Sequence, residues 1–343
     1  MRMALSRSNL RHLTLASVVI VLVTLGLKVL APGPNAAPDF DGLNPGAEVT
    51  IAIEKGETGL EIARKLRDAK ITKSSEAFFR IAVSDQRSQR ISVGQHRVQT
   101  NISAAMALEQ LLDPKRIIDL VVIRDGAWQR EVEAAMIQGG FDKTQVKKAL
   151  SGARPPAQFR AKSIEGFLYP AFYSFEPSTS AEDAVASMID RFNFSTADVN
   201  WKIRTGYTPY QVLIIASLIE SEGTPDVHGK VAQVIYNRLE RRMPLQFDST
   251  VHYILGRRGE IRVSAKETQV NSPYNTFERY GLPPTPIGSP TRASIDAALN
   301  PEPGPWLYFV TVKPGETKFT DSYEVFLDFK AEYKKNLARG LFE

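Results

Sequence analysis

Cysteine is absent from the 343 residues, which excludes disulfides, thiolate nucleophiles and cysteine-ligated metal. Histidine is scarce: His12, His96, His228 and His252 are scattered, and none sits in an HExxH-type arrangement. Asp248 and His252 stand at i and i+4 and could share a metal, but two polar residues on a solvated turn account for them as well. A strong charge of one sign is missing too. The 43 basic and 38 acidic residues leave a net charge of +5, dispersed along the chain, with no basic run and no nucleic-acid-binding motif. Nucleic acid is therefore not an expected partner, and a weak fit to an acidic polymer is all that the excess implies. What is present is the material of a globular protein. The 43% hydrophobic and 24% charged residues suffice for a sizeable core, in a length that holds two or three domains.

One long apolar run stands apart. Leu13 to Ala31 (LTLASVVIVLVTLGLKVLA) is interrupted only by Lys28, whose stem can snorkel to an interface. As a helix it spans roughly 28 Å, close to the hydrocarbon thickness of a bilayer. Arg2, Arg7 and Arg11 precede it, and Asp39, Asp41 and Glu48 follow. The positive-inside rule puts residues 1–12 in the cytoplasm and the rest outside. A cleaved signal peptide is the rival, but the small-residue sites at Ala31 and Ala37 are each followed by proline, which the processing enzyme refuses. An uncleaved single-pass membrane anchor is the expectation, with the lipid bilayer as partner of residues 13–31. Residues 32–47, rich in Pro, Gly and Asn, read as a tether.

Beyond the tether the pattern predicts an α+β protein. EVTIAIE at 48–54 alternates as a strand with Val49, Ile51 and Ile53 on one face, and Thr58 follows as a helix cap. A helix with Leu60, Ile62, Ala63 and Leu66 comes next, then a helix over about Ser74 to Ala82, then a β-like stretch from Ile91 to Val98. Strand, helix, helix, strand over residues 48–112 resembles a small glycan-binding module of the LysM type, although any small α+β unit would read alike. Residues 113–160 repeat the order more faintly: IIDLVVI as a strand, Arg124-Asp125-Gly126 as a turn, and Trp128 to Met136 as a helix. Trp128 suits either a sugar-stacking platform or a core. Residues 161–343 form a larger mixed α+β region. It opens with Phe167, Tyr169, Phe172, Tyr173 and Phe175 in nine residues, either a groove lining or a buried strand broken at Pro170. Ser180 to Phe194 then reads as an amphipathic helix.

Thr208 to Gly223 (TPYQVLIIASLIESEG) carries the candidate chemistry. Thr208 fits the N-cap, Pro209 the first helical position and Gly223 the stop, and Val212 to Ile219 is apolar throughout, which predicts a helix buried on nearly all sides. Glu220 and Glu222 occupy its final turn. A helix C-terminus repels an anion by about 0.3 to 1 kcal/mol, and apolar surroundings act in the same direction. A carboxylic acid that keeps its proton near neutral pH is what glycosidic bond cleavage needs. Alternatively, these glutamates reach solvent or pair with Arg238, Arg241 or Arg242.

Three blocks in order resemble the YceG-like family, the endolytic murein transglycosylases known as MltG: SIEGFLYPAFYSF, then LIIASLIESEG with VAQVIYNRLERRMPLQFDSTVHYILG, then SPYNTFERYGLPPTPIGSPTRASIDAALNPEPGPWLYFV. The resemblance covers most of residues 48–330 and makes 161–343 the catalytic domain. It implies that Glu220 is the catalytic acid and base, with Glu222 in support. It implies that Asn237, Arg238, Gln246, Asp248 and Thr250 line a cleft, that Ser272, Tyr274, Asn275 and Thr276 belong to a loop over it, and that Glu165 belongs to the first block. The family's usual aspartate and threonine in the first block are Ala171 and Phe172 here. Its usual proline after Asp248 is Ser249, and a histidine near its C-terminal phenylalanine is Thr317, ahead of Phe319.

The implied reaction needs one carboxyl group. It protonates the glycosidic oxygen and then takes the proton of the muramic acid 6-hydroxyl as that oxygen closes a 1,6-anhydro ring. Neither metal nor organic cofactor is required, and Asn275, Gln246 and Tyr274 are the candidates to position the sugar. Peptidoglycan glycan strands, nascent ones near the membrane, are the implied substrate, and the synthases beside them the implied partners. A hydrolytic muramidase with Asp248 as second carboxylate, and a non-catalytic peptidoglycan-binding scaffold, are the alternatives.

Overall fold

The computed structural model describes residues 37–54, 56–202, 206–258 and 263–342. The expected membrane span, residues 13–31, lies outside them, as do the cytoplasmic tail and most of the tether. Among the described residues no helix is long and apolar enough to cross a membrane. The same residues hold eleven α-helices and six short strands, the strands paired as three two-stranded antiparallel sheets. The chain divides into two compact units, 1–118 and 119–343.

In the first unit, β1 (Glu48–Ile53) pairs with β2 (Gly94–Gln99), Ile51 opposite His96. Between them lie α1 (Gly59–Asp68) and α2 (Ser75–Ser84), so the order strand, helix, helix, strand is present, and α3 (Ala104–Leu112) packs beside it. Thr58 caps α1 as the sequence suggests: its Oγ1 accepts from Glu61 N–H at 3.3 Å, and the Glu61 carboxylate accepts from Thr58 N–H at 2.7 Å. Ile51 and Ile53 point inward with Leu66, Phe78, Val98 and Leu108 in one closed cluster.

The apolar run 117–123, expected as one strand, is split between the units. Ile117 bridges His96 and Ile118 N–H donates to Gln95 O in the first unit, whereas β3 is only Val121–Ile123 in the second. Asp119 lies between them at φ 57°, a left-handed conformation that aspartate tolerates. The expected boundary at residue 160 also divides nothing. β3 pairs with β4 (Ala171–Tyr173), and Val132 and Met136 of α4 (Gln129–Gln138) and Val146 of α5 (Lys143–Gly152) share one core with Phe167 and Leu218. Two short helices and a three-residue strand bury too little apolar surface to stand alone.

The aromatic run 167–175 is mainly core. Phe167 is fully buried against Phe159 and Phe192, and Tyr173 donates to Tyr169 O at 2.7 Å. Only Phe172 turns outward, opposite Val122. In α6 (Ala181–Ser195) the predicted face Ala184, Met188, Ile189 and Phe192 is buried. α7 (Pro209–Glu222) is capped by Thr208, which exchanges hydrogen bonds with Gln211, and every residue from Val212 to Ile219 is buried. Each large apolar side chain there contributes roughly 1.5–3 kcal/mol relative to exposure. α8 (His228–Glu240) and α10 (Arg292–Leu299) pack on α7, and α9 (Asp248–Leu255) crosses near its end. β5 (Tyr308–Lys313), β6 (Glu316–Thr320) and α11 (Tyr323–Ala338) complete the unit. Thr317, where the family resemblance expects histidine, faces Thr311 across the β5–β6 pair, hydroxyl to hydroxyl at 2.9 Å.

Arg238, on α8, is a buried tie. Its guanidinium donates to Leu307 O at 2.7 Å, Leu245 O at 2.7 Å and Pro244 O at 3.2 Å, and Tyr308 lies over it. Removing it leaves three carbonyls without their donor, a loss on the order of 2–4 kcal/mol. Arg238→Ala is expected to lower the thermal midpoint by roughly 5–15 °C for a unit of this size, read by differential scanning calorimetry. A midpoint within a degree of the parent would show that these carbonyls find other partners.

Candidate active site

Glu220 sits on the last turn of α7, half-buried. Its Oε2 accepts two hydrogen bonds from Thr291, from the backbone N–H at 2.9 Å and from Oγ1–H at 2.6 Å. Among the described residues Oε1 accepts none. Two other segments close around this carboxyl. Residues 287–291 run along α7 as a strap, with Ile287 N–H donating to Ser217 Oγ at 3.1 Å one turn before Glu220. The turn at Asp125-Gly126 packs from the other side, where a Cβ on Gly126 would stand 3.4 Å from Glu220 Cγ. Strap and turn are pinned together by Gly126 N–H to Ser289 O and Ser289 N–H to Ala127 O, both 2.9 Å. That approach demands glycine at 288, at φ 149°, since a Cβ there would stand 2.3 Å from Gly126 O. Arg258 completes the clamp with Nη2 on Gly126 O at 2.8 Å and an ion pair to Glu131.

Among the described residues of this unit, four carboxyls are pushed toward the protonated form. Burial raises Asp125, and the charge of Glu220 raises it further. Burial raises Glu222 to about 7, with Asp248 adding to it and Ser249 and Arg238 opposing. Burial likewise raises Glu165 to about 7 against hydrogen bonds from Tyr253 O–H at 2.9 Å and Gln129 N–H at 3.0 Å. Asp248 is raised by desolvation and eased by His252. Glu165 forms part of a cavity of about 260 Å³ lined also by Trp128, Gln129, Arg130, Ser163, Tyr253, Tyr274 and Thr285. Tyr274 shares a hydrogen with Thr285 at 2.9 Å and packs on Tyr253. Trp128 is not an open platform. It is 4% exposed, and the guanidinium carbons of Arg130 and Arg258 lie 4.1 and 4.2 Å from its ring centroid.

The YceG-like family model matches residues 51–332, the greater part of the chain. The chain belongs to the YceG-like family. Two proteins named endolytic murein transglycosylase align with it: one from Bacillus subtilis, 39% identical over 174 residues, covering 50% of this chain and 48% of its own, and one from Streptococcus pneumoniae, 26% identical over 312 residues, covering 80% and 56%. The chain thus spans about half the length of the curated relatives it matches. A crystal structure of a YceG-like protein from Listeria monocytogenes superposes with a TM-score of 0.57 at 26% identity, covering 82% of this chain and 99% of that one.

Within this YceG-like chain the site residues expected from sequence do not converge on one place. Glu220 is at the clamp, and Glu165 and Tyr274 are at the cavity beside Trp128. Glu222, Ser249 and Asp248 form a neighbouring acidic group in which Ser249 N–H donates to Glu222 Oε1 at 3.3 Å, a bond that a proline at this position could not make. The remainder hold loops. Asn237 donates to Gly304 O and Trp306 O, Asn275 donates to Thr268 O and Val270 O, and Thr250 and Thr276 join hydroxyl to hydroxyl beneath Phe247. Ser272 Oγ accepts from Tyr274 N–H at 3.2 Å, and Gln246, exposed and at φ 53°, donates its N–H to Thr276 O. Sequence reasoning missed Asp125, Tyr253, Arg258 and Thr291. Asp125-Gly126 was legible as a turn, but nothing in its pattern places it against a residue 95 positions later (Asp125 to Glu220).

The raised carboxyl of Glu222 sets a direction for stability against pH. Its ordinary value is 4.5 and its folded value about 7, so the folded state holds the proton more tightly. Its contribution is fully present below about 4.5 and is lost as pH rises through about 7. Glu222→Gln keeps an acceptor for Ser249 and removes the titration. The gap in thermal midpoint between Glu222→Gln and the parent is expected to shift in the variant's favour from pH 5 to pH 8, and a gap constant over that range would contradict the buried-acid description.

Proposed function

We propose that this chain is a membrane-anchored lytic transglycosylase of peptidoglycan in which Glu220 transfers the proton. The observation that carries this is the placement of one carboxyl directly after the buried stretch Val212 to Ile219 of α7, with Oε2 fixed by Thr291 and Oε1 left without a partner among the described residues. The names of the Bacillus and Streptococcus relatives supply the substrate class. Glu220 gives its proton to the glycosidic oxygen as the C1–O bond breaks and the leaving sugar keeps the electron pair. The muramic acid 6-oxygen then bonds to C1 and returns its proton to the Glu220 carboxylate. Atoms balance without water, and the product ends in 1,6-anhydro-muramic acid. The cavity at Glu165 and Tyr274, with hydroxyl, carboxamide and guanidinium groups at hand, suits a neighbouring hexosamine of the strand. Residues 13–31 as an inner-membrane anchor, with the N-terminus cytoplasmic, and residues 48–112 as a glycan-binding module of the LysM type belong to the same proposal, as do synthase partners.

Asp125 favours one second reading. A carboxylate beside Glu220 is what a hydrolytic muramidase would use, in place of the Asp248 considered from sequence, which neighbours Glu222 instead.

The test is digestion of purified glycan strands by the full chain in detergent, with products read by mass spectrometry. Anhydro ends are expected from the parent, and Glu220→Gln should lower their release by about 10²-fold or more. Reducing ends in their place would establish the muramidase, and undiminished release by Glu220→Gln would remove the assignment.

A further inference from the structure

We infer that Thr291 is a positioning residue for proton transfer: it fixes Oε2 of Glu220 and thereby makes Oε1 the oxygen that carries and recovers the proton. The inference rests on Glu220 being the acid and base, and it adds which oxygen acts and what holds it.

Thr291 is the N-cap of α10, and its hydroxyl has two tasks. Its Oγ1 accepts from Ser294 N–H, a long bond at 3.4 Å that satisfies one of the free amides of the helix's first turn. With a lone pair committed to the cap, the hydroxyl hydrogen is left to point away from the helix, and Glu220 Oε2 receives it at 2.6 Å. The Thr291 backbone N–H reaches the same oxygen at 2.9 Å. An oxygen facing two donors has no room for a proton of its own, so a protonated Glu220 carries its hydrogen on Oε1. When that proton leaves, the charge that develops is already met by two donors at the positive end of α10, with no rearrangement.

The hydrogen bonds from Thr291 orient the carboxyl, and both partners are held on one framework. The Gly126 turn lies close enough that a Cβ there would stand 3.4 Å from Glu220 Cγ, and Ile287 is tied to Ser217 one helical turn away, so the strap that carries Thr291 is fixed to the same helix that carries Glu220. The hydroxyl at 291 therefore links a cap, a strap and a reacting group through one atom.

The experiment compares Thr291→Val and Thr291→Ser in the full chain, with Glu220→Gln alongside. Valine keeps the branched shape and the backbone donor and removes only the hydroxyl, whereas serine restores it. Thr291→Val is expected to lower kcat about 10- to 100-fold with KM within about twofold, the size of one hydrogen bond to a charged group. Thr291→Ser should recover kcat to within about threefold. Thermal midpoints separate cap from chemistry: assayed at a temperature well below its own midpoint, where it is folded, the valine variant should still show the kcat loss. A raised KM with kcat unchanged, a wild-type kcat in Thr291→Val, or no recovery with serine would each overturn the role. If Glu220→Gln is itself active, the failure lies with Glu220 and not with Thr291.

Discussion

The burial of α7 on every side from Val212 to Ile219 is the constraint from which the rest of the second unit follows. With Val212 to Ile219 all enclosed, the helix has no solvent face of its own, and polar groups can enter only at its ends or by paired hydrogen bonds. Ser217 shows the second route, buried but donating to Ile214 O and accepting from Ile287. Glu220 and Glu222 take the first. Their neighbours differ: Glu220 meets the capped start of α10, and Glu222 meets Asp248 and Ser249 at the start of α9. Two glutamates on one turn therefore stand in different electrostatic settings because different helices begin beside them.

Much of the fold was legible from spacing alone. Thr58 and Thr208 act as caps because a side-chain oxygen before an apolar-periodic run satisfies the first free amides, and both elements begin where the pattern places them. The buried face of α6 followed from helical periodicity, and the enclosure of α7 from its unbroken apolar stretch. The boundaries of units did not. A seven-residue apolar run reads as one strand, and nothing local reveals that its first part pairs with β2 and its last with β4.

The candidate site was legible in its carboxylates and not in its geometry. Glu220 and Glu165 were identified by type and by resemblance, yet what surrounds them arrives from far along the chain: Thr291 for one, Tyr253 and Gln129 for the other. Conversely, Asn237, Arg238, Asn275 and Thr276 fall on the family's blocks, but the first three side chains are spent on backbone carbonyls, and Thr276 on Phe247 N–H and the Thr250 hydroxyl. Polar residues in a shared motif need not face a ligand. Buried backbone that must cross between helices requires donors just as a substrate does. Trp128 illustrates the same limit, since a ring of a type suited to a sugar face meets two guanidinium groups.

The strap at 287–291 has the appearance of a connecting loop, and loops ordinarily absorb insertions and deletions without harm. This one is held at both ends to one helix, Ile287 to Ser217 and Thr291 to Glu220, while Ser289 in the middle is paired with the Gly126 turn. Five consecutive residues are thus in register with two partners simultaneously, as a strand is in a sheet. Lengthening or shortening the segment by a single residue would misalign all of these pairings together. In homologues of this chain, length in this stretch should be as invariant as in a core element, with the variation that surface connections usually show displaced to the segments on either side.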